Sequence, residues 1–231
     1  LIGNTLISIT KFGAAFVTGS SAMFSEAIHS LVDTGNQLLM LHGLRRAKKP
    51  ADEAHPFGYG MEVYFWTFVV AILVFAGGAG VSIYEGIHKV MAPEPVSNVM
   101  INYAVLGAAM VFEGVAWMMA YKEFGRSRGR MGLMEAVSRS KDPTVFTVLF
   151  EDTAAMLGLF VAFVGIAAAD YLDMPLLDGV ASIVIGLILA LTASLLAFET
   201  KGLLIGEAAH PRVVEGVRRI ARAEDSVIGI N

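Results

Sequence analysis

Six apolar segments joined by short polar stretches run through this sequence of 231 residues. A helix needs about 20 apolar residues, at ~1.5 Å of rise each, to cross ~30 Å of hydrocarbon. Only 16% of the residues are charged and 55% are hydrophobic, whereas soluble domains carry about 25% charged residues. The segments are residues 1–17, 22–44, 64–87, 101–121, 144–169 and 176–198. The sequence therefore predicts an all-α membrane protein built around a six-helix transmembrane bundle.

Lysine and arginine are concentrated in every second connection between these segments. The connections after segments two and four and the tail after segment six are basic, whereas the other connections contain at most one basic residue each. Because basic loops remain on the cytoplasmic side of a membrane, we expect both ends of the chain to face the cytoplasm. We expect a multi-pass integral protein of the bacterial inner membrane.

The composition changes after Glu199, where mixed charged and apolar residues replace the apolar runs. We expect a transmembrane domain over residues 1–200 and the beginning of a cytoplasmic C-terminal domain over residues 201–231. In the latter, residues 213–221 have helical periodicity and residues 227–230 resemble the start of a strand. About twenty residues cannot bury a core of their own, so the domain is expected to be truncated. The apolar start at Leu1 likewise suggests a missing N-terminus.

The second segment contains a stripe of ionisable side chains. Counted at ~100° per residue from Glu26, His29 falls near −60° and Asp33 near −20° around the helix. Asn36 falls near −80° on the same count, so the polar residues share one broad face. Because charged groups are costly against lipid, this face is expected to point into the bundle or a water-filled cavity.

Imidazole and carboxylate groups together favour a first-row divalent cation, with zinc first. The spacing of four places His29 and Asp33 one turn apart, which suits two ligands of one tetrahedral site. The sequence has no cysteine, which excludes thiolate ligands and disulfides. The alternative interpretation is a seam of interhelical hydrogen bonds without a metal.

The fifth segment contains an adjacent acidic pair, Glu151 and Asp152. The two side chains diverge by ~100°, so we expect one to meet the polar stripe and the other to support it or line an access path. Asp152 shares a face with Val148, and Glu151 shares one with Thr147 and Thr144. The alternative is a carboxylate capped by these hydroxyl groups.

The first and the fourth segment each contain one charged residue. Lys11 in the first segment is expected to pair with an acid of the bundle or to extend to the membrane surface. Glu113 in the fourth segment is expected to line a proton or ion path, or to make a packed hydrogen bond.

The order of these features resembles the cation diffusion facilitator family of zinc transporters, and within it the subgroup that includes the mitochondrial zinc transporter. The resemblance extends over essentially the whole chain. The motifs that carry it are Gly19-Ser20-Ser21-Ala22, His29-Ser30-Leu31-Val32-Asp33, His55-Pro56-Phe57-Gly58-Tyr59-Gly60, an acid in the fifth segment, and Leu203-Leu204-Ile205-Gly206-Glu207.

The resemblance implies six transmembrane helices, a homodimer and a small cytoplasmic α/β domain. It assigns two metal ligands to His29 and Asp33 and a third to Asp152. The family's remaining ligand position, which is commonly a histidine, falls on Val148, which has no donor atom. The fourth ligand is therefore left open among Glu151, Asn36, Glu26 and water.

A second, peripheral metal site of many relatives falls on the loop between segments two and three. Its positions correspond to Asp52, His55 and Tyr59, of which Tyr59 replaces a histidine. Two ligands in an exposed loop bind weakly, so we expect at most a weak site there. The alternative for His55 is a hydrogen-bonded loop residue.

From these features we expect efflux of a divalent metal cation, with zinc first, by proton antiport through a His and carboxylate site in mid-membrane. Neutral imidazole and ionised carboxylates are required for binding, so metal and protons compete. The expected partners are the cation, protons, the lipid bilayer and a second copy of the chain, with no nucleic acid and no organic cofactor. Three alternatives remain: selectivity for manganese, iron or cobalt; a non-transporting sensor or scaffold; and an intramembrane metal-dependent hydrolase, which is disfavoured because there is no His-Glu-x-x-His pattern.

Overall fold

A computed structural model describes residues 2–128, 143–206 and 211–224 of the chain. Within these ranges every regular element is a helix, as the sequence predicts. The helices are α1 (Ile2–Thr18), α2 (Ser21–Ala47), α3 (Glu62–Met91), α4 (Val99–Arg128), α5 (Pro143–Tyr171), α6 (Leu176–Ile205) and α7 (Pro211–Arg222). The predicted strand start at residues 227–230 lies outside the described residues.

Four of the six predicted spans, α3 to α6, are long and apolar enough to cross a membrane. α1 has 17 residues, fewer than the ~20 that a perpendicular crossing needs. α2 is long enough, with 27 residues, but its polar stripe lowers its apolar content. The membrane crossing of α1 and α2 therefore remains a prediction.

α2 occupies the middle of the bundle, where it packs against α1, α3, α5 and α6. α4 completes the bundle by packing against α1 and α5. Met23 of α2, Leu159 of α5 and Ile185 of α6 are fully buried in one apolar cluster. Lipid tails are as apolar as these side chains, so moving the side chains out of lipid gives no hydrophobic gain. The cluster therefore stabilises the bundle through close van der Waals packing.

α3 and α6 approach each other through glycine. α3 changes from α-helix to π-helix over Val74–Gly80 and returns to α-helix over Val81–Met91. A β-carbon on Gly86 of α3 would lie 2.7 Å from the carbonyl oxygen of Gly179 in α6. Backbones can come this close only where no side chain intervenes, which fixes α3 and α6 as a tightly packed pair.

The start of α2 is held by a carboxylate from α6. Gly19 turns the chain between α1 and α2 with a φ of +68°, a left-handed conformation that glycine adopts without strain. Ser20 caps α2 by accepting a hydrogen bond from the Met23 N–H. Asp178 accepts hydrogen bonds from the Ser20 hydroxyl at 2.6 Å and the Ser21 N–H at 2.7 Å. These contacts fix the rotational setting of α2, and with it the direction of its polar face.

Candidate functional site

The polar stripe of α2 points into the bundle, as the sequence predicts. Glu26, His29 and Asn36 are at most 1% exposed, and the side chain of Asp33 is 14% exposed. On this face, Glu26 meets Lys11 of α1 and Asn36 meets Glu151 of α5. Ionisable groups at such depth need partners or a bound ion to compensate for lost hydration.

His29 and Asp33 face each other one turn apart on α2. Nε2 of His29 lies 3.6 Å from Oδ2 of Asp33, which is too long for a good hydrogen bond. Neither ring nitrogen of His29 has a hydrogen-bond partner among the described residues, and the same holds for Oδ1 of Asp33. Buried polar atoms are nearly always paired, so this group is typical of a site that receives a ligand.

Lys11 of α1 pairs with the acid that begins the stripe. Its Nζ lies 3.0 Å from Oε2 of Glu26 and donates to the Ser30 hydroxyl at 2.8 Å. The side chains of Lys11 and Glu26 are both completely buried. The sequence left two expectations open for Lys11. The structure confirms the first, in which Lys11 pairs with an acid of the bundle.

The acids of α5 point in different directions, and Glu151 is the one that meets the stripe. Oε1 of Glu151 accepts a hydrogen bond from the Asn36 amide at 2.8 Å. Thr147, one turn earlier, is fully buried, and its hydroxyl has no partner among the described residues. The structure therefore brings Glu151 to α2, with Thr147 on the same face of α5.

Asp152 lies on the neighbouring face of α5 and is partly buried. It accepts no hydrogen bond from the described residues, and it lies within electrostatic range of Glu113 on α4 and of Asp33. Glu113 is 5% exposed. Which acid of α5 binds a metal remains a prediction.

The polar residues are arranged in layers along α2 and not as one closed cluster. At ~1.5 Å per residue, Glu26 and Asn36 are separated by ~15 Å along the helix, with His29 and Asp33 between them. No group of three or more His, Asp and Glu side chains in the described part of the chain lies close enough to hold a metal ion. His29 and Asp33 alone therefore supply fewer ligands than a metal site of three or more protein groups needs.

The donor set nevertheless suits a divalent cation. Imidazole nitrogen and carboxylate oxygen are ordinary ligands of first-row metals, and Asn36 adds an amide oxygen that has no partner among the described residues. Val148 is 37% exposed and has no donor atom. The nitrogen ligand that the resemblance expects from α5 is therefore missing from this chain.

The loop between α2 and α3 uses its acid for internal contacts. Asp52 accepts a hydrogen bond from the His55 N–H at 2.7 Å through one oxygen and from the Tyr59 hydroxyl at 2.7 Å through the other. The Tyr59 hydroxyl, followed by the His55 N–H, holds the pKa of Asp52 below its usual value. The same bond raises the pKa of Tyr59. Asp52 and His55 are both half exposed, and this geometry is that of a hydrogen-bonded loop. A weak metal site there remains a prediction.

Gly158 of α5 borders the polar stripe of α2, and helical periodicity does not single it out. A β-carbon at this position would collide with Oε1 of Glu26. The absence of a side chain at Gly158 therefore makes the space in which Glu26 is buried. The signal in the sequence was only a glycine two turns after the acidic pair, which does not reveal the partner on α2.

Comparisons with known proteins agree with the architecture. Residues 1–205 match the family model described as the cation efflux transmembrane domain. The mitochondrial proton-coupled zinc antiporter SLC30A9 of Mus musculus is 33% identical over 230 residues, which cover 99% of this chain and 41% of that protein. Metal tolerance protein C4 of Arabidopsis thaliana is 30% identical over 227 residues, which cover 97% of this chain and 50% of that protein.

A more distant relative is the magnetosome protein MamM of Paramagnetospirillum magneticum. It is 26% identical over 221 residues, which cover 94% of this chain and 65% of that protein. The chain thus spans less than half the length of the mouse zinc antiporter and half that of the plant protein. The resemblance noted in the sequence, including its subgroup, is confirmed by these matches.

Proposed function

Because the chain belongs to the cation efflux family, we propose that it moves a divalent metal cation, with zinc first, across a membrane in exchange for protons. The observation that carries this proposal is His29. Its imidazole is 1% exposed, neither ring nitrogen has a partner among the described residues, and the Asp33 carboxylate is 3.6 Å away. A hydrogen-bonded packing seam would pair these atoms, whereas a cation site leaves them available.

The proposed ligands are His29 and Asp33 from α2 together with Asp152 from α5. Glu151 supports the set, because its Oε1 is already engaged by Asn36. Since these groups do not form one cluster in the described conformation, we propose that a shift of α5 relative to α2 assembles the site. Opening the bundle would then separate the ligands and release the ion. A site that forms and opens in this way can face the two sides of the membrane in turn, as transport requires.

Proton coupling follows from the ligand chemistry. A metal binds neutral imidazole and ionised carboxylate, so binding expels any proton those groups carry. Protons that enter from the other side then compete for the same lone pairs and displace the ion. The mouse relative is named a proton-coupled zinc antiporter, and the proposal extends that description to this chain.

A change of metal is the second candidate function, and Val148 favours it. A site that lacks one nitrogen ligand depends more on its oxygen donors, which moves it toward the preference of manganese and other oxygen-binding cations. An intramembrane hydrolase has no such support, because the matched family model is a cation efflux domain and the mouse relative is named an antiporter. The homodimer, the cytoplasmic ends, the inner-membrane location and the domain division at residue 200 are further parts of the proposal.

The experiment is metal binding to the purified full chain in detergent, measured by isothermal titration with zinc, manganese, iron, cobalt and cadmium. We expect zinc to bind the wild-type chain and not the His29→Ala or Asp33→Ala variants. His88→Ala is the matched control, because His88 is an exposed histidine near the end of α3. Equal zinc binding by His29→Ala and wild-type protein would remove His29 from the site.

A further inference from the structure

Lys11 and Glu26 form a completely buried ion pair beside the proposed metal site. Nζ of Lys11 is 3.0 Å from Oε2 of Glu26 and 2.8 Å from Oγ of Ser30. Glu26 and Ser30 flank His29 in the sequence of α2, so the ammonium group lies alongside the histidine. Lys11 is also within electrostatic range of His29, Asp33 and Glu113. Among the described residues, Lys11 of α1 is the only positive charge that the structure places near these acids.

The second oxygen of Glu26 is enclosed by helix packing. Oε1 faces Gly158 of α5 so closely that a β-carbon there would not fit, and the side chain of Ile185 from α6 borders the same space. An ion cannot enter on that side. With Lys11 on one oxygen and Gly158 against the other, Glu26 is held away from a metal although it lies one turn from His29.

We propose that Lys11 is a specificity-determining residue that keeps Glu26 out of the metal's ligand set. This inference rests on the proposed function of the central site. With Glu26 neutralised, the ion meets one imidazole and a limited number of carboxylates. Without the ammonium group, Glu26 is a free carboxylate on the same face of α2, one turn away. An added carboxylate shifts a site toward cations that prefer oxygen ligands and higher coordination, such as manganese, and away from four-coordinate zinc.

A purely structural role for the pair predicts a different result. If Lys11 only attaches α1 to α2, its loss lowers stability and lowers the affinity for every metal together. The ratio of zinc affinity to manganese affinity then stays constant. That ratio is the quantity that separates the two roles.

The test is titration of the purified full chain in detergent with Zn²⁺ and, separately, with Mn²⁺. The variants are Lys11→Met, Glu26→Gln and the double variant that contains both. We expect Lys11→Met to shift the affinity ratio toward manganese by about tenfold, the size of effect that groups bordering a metal site commonly have. In the double variant the ratio should return to the wild-type value, because the released carboxylate is no longer present. In Glu26→Gln alone, zinc should still bind with the wild-type ratio.

Removing one partner of a buried pair can prevent folding, so the set of variants includes one in which both partners are replaced. If Lys11→Met does not give a monodisperse protein, the double variant decides, because it removes both charges of the pair together. Loss of zinc binding in a folded double variant would overturn the proposal, because no unpaired charge is left there and Glu26 would then be a ligand. An unchanged ratio in a folded Lys11→Met protein would overturn it as well. Failure of the proposed function is a separate result, namely a wild-type chain that binds neither metal.

Discussion

The Asn36 amide donates a hydrogen bond of 2.8 Å to Oε1 of Glu151 and so joins the polar face of α2 to the acidic pair of α5. The bond lies about one turn beyond Asp33 along α2. It aligns the two helices that are proposed to supply the metal ligands. Of the two acids of α5, Glu151 is engaged by this bond, whereas Asp152 accepts no hydrogen bond from the described residues.

Exchange of each acid for its amide should therefore have unequal effects. We expect Asp152→Asn to weaken zinc binding more than Glu151→Gln, because the first removes a ligand and the second alters a supporting contact. A supporting contact is commonly worth about tenfold in metal affinity, and a ligand more. Isothermal titration of both purified variants measures the order. The reverse order would make Glu151 the ligand and Asp152 the supporting acid.

Gly158 offers a test of the packing around Glu26. Gly158→Ala places a β-carbon where Oε1 of Glu26 lies, and Glu26 cannot move aside without breaking its bond to Lys11. We expect a loss of about 1–3 kcal/mol in stability, the usual cost of overpacking. The readout is the thermal unfolding midpoint of the protein in detergent.

Gly107→Ala is the matched control for that substitution. Gly107 lies within α4, and a β-carbon added there would meet no neighbouring atom within 4 Å. Alanine at this position should therefore be neutral or stabilise the helix by about 0.5–1 kcal/mol. Equal midpoints for the two alanine variants would show that Glu26 has room to move.

The polar face of α2 is predictable from the sequence, because ionisable side chains that recur on one side of a helix have to avoid lipid. The acidic pair of α5 is predictable for the same reason. These two features are enough to place the candidate site between α2 and α5. The bundle's helical content follows from the apolar segments alone.

The individual pairings are not predictable in this way. Lys11 could reach several acids, and the choice of Glu26 depends on the height and rotation of α1 against α2, which the turn at Gly19 and the Asp178 contacts decide. Gly158 is equally hidden, because its role depends on which residue of α2 lies opposite. The helices also run past the apolar segments, since helical hydrogen bonding continues where the side chains become polar. α2, for example, ends at Ala47 and not at Leu44.

The loop between α2 and α3 should tolerate loss of its potential ligands. We expect the double variant Asp52→Ala with His55→Ala to keep its metal flux, because both oxygens of Asp52 are occupied by loop contacts and Tyr59 stands where a third ligand is needed. Flux into proteoliposomes at matched protein content is the measurement. Complete loss of flux by a folded double variant would identify a functional loop site.

The contacts of the same loop predict how the Asp52 carboxyl group titrates. The Tyr59 hydroxyl is the main reason why the pKa of Asp52 lies below its usual value, so Tyr59→Phe should raise that pKa toward the ordinary value. For a lowered pKa, the stabilising contact is present above the unfolded-state pKa and is lost as the pH falls through the folded-state pKa. The Asp52 contacts should therefore weaken only in acid, and at a higher pH in Tyr59→Phe.

Carboxyl NMR of the labelled protein follows this titration, with Tyr171→Phe as the control because Tyr171 is 90% exposed at the end of α5. An Asp52 pKa that does not change in Tyr59→Phe would assign the shift to the His55 N–H.

Zinc flux in sealed proteoliposomes with an imposed pH gradient tests the central role of His29 most directly. The full chain is reconstituted as wild type, as His29→Ala and as His88→Ala, and zinc movement is followed with and without the gradient. We predict a flux that the gradient accelerates in the wild type and in His88→Ala, and no flux above empty vesicles in His29→Ala. A flux in His29→Ala equal to that of the wild type, or a wild-type flux indifferent to the gradient, would contradict proton-coupled transport through this histidine.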